Sequence, residues 1–97
     1  MHGSFKHLQG RSITLVERTR AFTFHCDRET RAQRWNLQLT GTAPGVPPAT
    51  DRPWQFEFAG KSWGTSLEVT PRDGKFLVKA ETVITDEAFW GSDAGGA

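Results

Sequence analysis

Hydrophobic and polar positions alternate along most of this chain with a period of two. Trp54, Phe56 and Phe58 are separated by Gln55 and Glu57. Three aromatic side chains thus point to one face and two polar ones to the other, as in a strand with one wet face. Phe22, Phe24 and Cys26 alternate in the same way, and so do Trp35, Leu37 and Leu39. Ile13 and Leu15 mark an earlier strand. Trp63, Leu67 and Val69 mark one interrupted by Gly64, and Phe76 and Val78 mark the last. Six such runs predict six short antiparallel strands. Their apolar faces, Ile13, Leu15, Phe22, Phe24, Trp35, Leu37, Leu39, Trp54, Phe56, Phe58, Leu67, Val69, Phe76 and Val78, would form the core.

The connections agree with that reading. Over residues 70–75, Pro71 presets φ for a type I turn, Asp73 suits its later corner and Gly74 takes the left-handed position that follows. Residues 60–62 and 17–20 are further reversals. Residues 42–53 hold four of the five prolines and predict a long, helix-free loop within one domain. Residues 27–34 read either as a short helix capped by Asp27 or as the wide end of a hairpin. The clean alternation on both sides favours the hairpin. Residues 1–9 are expected to be a loose N-terminus, 10–85 the β domain and 86–97 a flexible tail. Turn signals every eight to twelve residues predict an all-β, mainly antiparallel fold. It would be a small sandwich or a partly open barrel of about six strands, with one short helix or helical turn.

The chain has 97 residues, enough for one small core. Four Trp and seven Phe are too many to leave in water, which argues against disorder. No apolar run approaches the ~20 residues of a membrane-spanning helix. The start lacks the apolar stretch of a secretory signal. With a single cysteine, Cys26, no internal disulfide can form, so a cytoplasmic location is expected. The abundance of Arg, Gly, Ala and Pro suggests a high-GC bacterial or phage-like source.

Charge is uneven. Residues 1–34 carry seven Lys and Arg against three acids, whereas residues 35–97 carry five against eight. The basic part is mostly arginine, whose planar fork suits phosphate. Arg18 and Arg20 fall at the first hairpin tip, and Arg28, Arg31 and Arg34 near the far end of the second strand. They make two basic clusters.

Catalytic chemistry finds little footing. His25 and Cys26 are neighbours on a strand, so they point to opposite faces and share neither an ion nor a nucleophilic role. His2 and His7 lie on the loose N-terminus, and no metal or cofactor is expected. Gly60, Lys61 and Ser62 resemble the end of a phosphate-binding loop. The pattern needs a glycine where Gln55 stands and a helix where strand signal follows. Glu17, Glu57, Glu68 and Glu81 fall on wet strand faces.

A binding role therefore outweighs an enzymatic one. The first expectation is a non-enzymatic β-rich module acting through protein–protein contacts, with a partner or a second copy, in which Phe89 and Trp90 form a docking segment. The alternative for those two aromatics is packing onto the core. The second expectation is a single-stranded nucleic-acid binder using Arg18, Arg20, Arg28, Arg31, Arg34 and Trp63, with bases stacked on spare aromatics. Neither a small-molecule ligand nor a membrane is expected.

Overall fold

The computed structural model describes residues 8–91. They form β1 (Ser12–Glu17), β2 (Arg20–Gln33), β3 (Asn36–Pro44), β4 (Gln55–Phe58), β5 (Lys61–Arg72), β6 (Lys75–Val83) and α1 (Glu87–Gly91). Every pairing is antiparallel, and the strands close into a barrel in the order β1-β2-β3-β6-β5-β4. The fold is thus the small antiparallel β domain that the alternation predicts. Closure is achieved by a short seam in which Leu15 and Val16 of β1 face Phe56 and Gln55 of β4.

Tight turns set the registers. Ala59 and Gly60 join β4 to β5 with φ of 53° and 81°, and Asp73 and Gly74 join β5 to β6 with φ of 54° and 79°. Two successive left-handed residues make the turn whose twist matches the flanking strands. This corrects the reading of residues 70–75. Pro71 is no turn corner; it lies in β5 opposite Phe76. The proline-rich loop is also shorter than expected, because residues 42–44 belong to β3.

Residues 27–34 resolve as the hairpin. β2 runs on to Gln33, with register shifts between Cys26 and Arg28 and between Arg31 and Gln33. The first shift reverses the phase. Phe24 and Cys26 are buried before it, and Glu29 is buried after it. An extra residue in one strand has this effect because the side-chain period is two. Gly41 sits opposite Cys26 beside the bulge. A Cβ there would lie 1.8 Å from the His25 carbonyl oxygen, so only glycine fits.

Two terminal expectations need correction. Leu8, assigned to a loose N-terminus, is buried, and its amide donates to the Glu29 carboxylate; residues 1–7 lie outside the described residues. At the other end, residues 87–91 form the short helix or helical turn that was expected, although they fall in the span 86–97 assigned to a flexible tail, while 92–97 lie outside the described residues. Asp86 caps α1, its Oδ1 accepting the Ala88 amide at 2.9 Å. The Lys61 ammonium holds the same carboxylate.

The core fills the barrel and spills over its lower end, where the 34–35 and 59–60 turns and α1 gather. Leu15, Phe24, Leu37, Leu39, Phe56 and Ile84 are essentially inaccessible. Phe22, Trp35, Phe58 and Val69, expected in the core, are half-buried against it. Glu17, expected on a wet face, is buried. The phase of Ile13 and Leu15 carries residue 17 inward.

Candidate binding surface

The sequence-derived aromatic candidates are packing groups. Phe89 is 3% exposed and Trp90 8%. The Phe89 ring meets Phe58, Trp63, Phe56 and Trp90 edge-on, with centroids 5.0 to 6.0 Å apart. The Trp90 indole donates to the Ile84 carbonyl at 2.6 Å. Of the two roles weighed for this pair, the structure displays packing: both close the lower end of the barrel. Trp63 is half-buried and lies near-parallel to Phe56 at 6.1 Å.

Four of the five candidate arginines divide between the two ends. Arg31 lies 4.4 Å over the Trp90 ring and donates from Nε to the Arg34 carbonyl at 2.6 Å. Arg34 lies 4.7 Å over Trp35. These two cations thus cover indole faces at the lower end. Arg28 is exposed opposite Thr40 on the outer face. Arg18 and Arg20 flank the β1–β2 turn at the upper end, which also carries Arg52 of the long loop and Arg72 and Lys75 beside the β5–β6 turn. Sequence distance concealed that Arg72 and Lys75 lie at the same end of the barrel as Arg18 and Arg20.

The titratable groups near the bulge offer no evident reaction centre. Burial, aided by the Glu29 charge, pushes the Cys26 thiol up to about 11. A thiol so held is a poor nucleophile. His25 Nε2 lies 3.5 Å from Asp27 Oδ1, but both side chains are more than half exposed on the outer sheet face.

The feature that sequence reasoning missed is the free edge of β5. Residues 61–64 of this strand pair with β4, whereas residues 65–72 pair with β6. The Thr65 amide donates to the Trp54 carbonyl at 3.0 Å. There the neighbouring chain turns away into the loop. Backbone groups alternate sides along a strand. With Thr65 facing the β4 side, Leu67, Val69 and Pro71 face it too, while Ser66, Glu68, Thr70 and Arg72 face β6. Among the described residues, no backbone hydrogen bond reaches the outward amides of Leu67 and Val69. The edge opens onto a groove lined by residues 67–70 on one side and Pro48, Ala49 and Thr50 on the other. The Trp54 indole fixes that far wall by donating to the Ala49 carbonyl at 2.7 Å. Only the identity of neighbouring strands reveals such an edge, and alternation along one strand does not carry it.

No family model, curated protein or solved structure matches this chain. Among the described residues, no helix is long and apolar enough to cross a membrane.

Proposed function

We propose that this domain is a binding module that takes an extended polypeptide strand along the edge of β5. The observation that supports this reading is the ladder of β5, which beyond Thr65 has a partner on the β6 side alone among the described residues. An unpaired edge offers a ready template of donors and acceptors, and added strands use it through main-chain hydrogen bonds. Leu67 is buried and Val69 half-buried, so the edge stands on the core and is preorganised. The arrangement needs no catalytic group and no cofactor.

The test is an amide-resolved NMR titration with a synthetic strand peptide of alternating Val and Thr flanked by Lys. The reading expects the Leu67 and Val69 amides to shift and to become protected from exchange, with Glu68 and Thr70 little affected. A peptide that binds elsewhere, or leaves both amides unmoved, overturns it. A second reading, single-stranded nucleic-acid binding, draws on the cations carried at the upper end. A mixed-sequence oligonucleotide that perturbs Arg18, Arg20, Arg52 and Arg72 with steep salt dependence would favour it. The packing of Trp63 and the cover over Trp35 and Trp90 leave that reading short of free stacking surfaces.

A further inference from the structure

We infer that the strand accepted at this edge is β5 of a second copy, paired antiparallel about a two-fold axis with Val69 facing Val69. The inference rests on the strand-addition reading and adds the identity of the partner. It follows from matching donors, acceptors and charges along residues 66–72.

Three registers are possible near the centre of the free edge. Centred on Val69, each Val69 amide donates to the other Val69 carbonyl. Each Leu67 amide then reaches the Pro71 carbonyl of the other copy. Both outward amides of each chain are satisfied, and Pro71, which has no N–H to give, is asked only to accept. Centred on Thr70, Val69 would face Pro71 and half of the return bonds would be missing. Centred on Glu68, the amides are again satisfied, but two carboxylates stand directly opposite, which is unfavourable.

The side chains agree with the Val69 register. Glu68 faces Thr70 of the other copy, and Ser66 faces Arg72. Each Glu68 then has two diagonal neighbours on the other chain, Arg72, within reach of a long side chain, and the other Glu68, no longer directly opposite. Within its own chain Glu68 already faces Lys79 on β6, so its charge is balanced before association. An interface of this kind is isologous: the same patch serves both partners and the assembly closes at two. The position of Pro71 fits as well. It caps the length of strand that can be added, since a donor-free residue stops the ladder from running on.

Sedimentation velocity on the whole chain, from micromolar to millimolar concentration, tests this. The expected result is a reversible monomer–dimer equilibrium. Val69→Pro removes the central donor while leaving the β6 ladder intact, because residue 69 points its amide away from β6. It should weaken the dimer by about tenfold or more. Thr70→Lys, opposite Glu68, should tighten it about threefold, and Thr70→Glu should loosen it by a similar factor. Thr70 is exposed, so these two variants decide the matter if Val69→Pro does not fold. A monomer at every concentration overturns the inference, as does a dimer indifferent to all three variants. A monomer whose Leu67 and Val69 amides still take the Val–Thr peptide overturns the second copy alone. A monomer that ignores the peptide overturns the strand-addition reading too.

Discussion

Truncating Phe89 to alanine should remove a large part of the stability of this domain. The ring is 3% exposed and belongs to the cluster that closes the lower end of the barrel. It stands edge-on to Trp90 at 5.0 Å, Phe58 at 5.1 Å, Trp63 at 5.8 Å and Phe56 at 6.0 Å. A buried Phe→Ala change costs about 3–5 kcal/mol. Edge-to-face pairs contribute about 0.5–1.5 kcal/mol each beyond area, so the upper part of that range applies here. The helix offers little compensation, since five residues do not hold a helix without tertiary packing. A domain of this size has about 5–15 kcal/mol in all. Urea unfolding followed by tryptophan fluorescence reads the loss directly. With a slope of about 1–3 kcal/mol per molar, the midpoint should fall by about 2 M. Phe89→Leu, which keeps apolar volume, should recover about half of the loss. A Phe89→Ala loss of stability no larger than the ~0.5 kcal/mol expected of a surface change would refute the assignment of α1 to the core.

Gly41→Ala should destabilise by about 3 kcal/mol or more, because its Cβ would meet the His25 carbonyl and no flexible side chain can yield; the same denaturation assay reads it. The Cys26 thiol, raised from 9.0 to about 11, should react with a thiol reagent about a hundredfold more slowly in the native protein than in urea at pH 8. Its linkage has a defined sign. The native state holds the proton more tightly, so stability is fully present below pH 9.0 and declines as pH rises toward about 11. Cys26→Ala should flatten that decline. Asp86 shows the opposite sign. Hydrogen bonds from Lys61 and Ala88 hold its carboxyl below 3.8, so its contribution is present above that pH and is lost on acidification. Lys61→Met should reduce the acid sensitivity in a pH series of melting temperatures.

Much of the fold is legible in the chain because one physical rule governs most of it. Trp54, Phe56 and Phe58, or Leu37 and Leu39, alternate with polar neighbours because one face of each strand is buried. Where that rule is interrupted, reading fails. The bulge after Cys26 inserts a residue and turns Glu29 inward, and no local pattern in 27–34 announces a buried carboxylate. Asp73 adopts a left-handed conformation as the first of two such residues, so the turn is one residue tighter than Pro71 suggests. Phe89 and Trp90 sit on a short acidic segment that reads equally as tail or cap; tertiary packing settles which. The free edge of β5 was the least legible feature. Leu67 and Val69 look like any other core strand residues. Their outward amides become significant only once the short β4 is seen to leave them after Thr65. The arginine candidates divide for a similar reason. Arg31 and Arg34 lie where Trp90 and Trp35 come close, which their spacing does not disclose.

Residue-resolved hydrogen exchange along β5, at low and high protein concentration, tests the central claim most directly. At low concentration the Glu68 and Thr70 amides, paired with β6, should be protected while those of Leu67 and Val69 exchange quickly. At high concentration Leu67 and Val69 should gain protection together. Protection of Leu67 and Val69 that is already complete at low concentration, or their rapid exchange at every concentration, would contradict it.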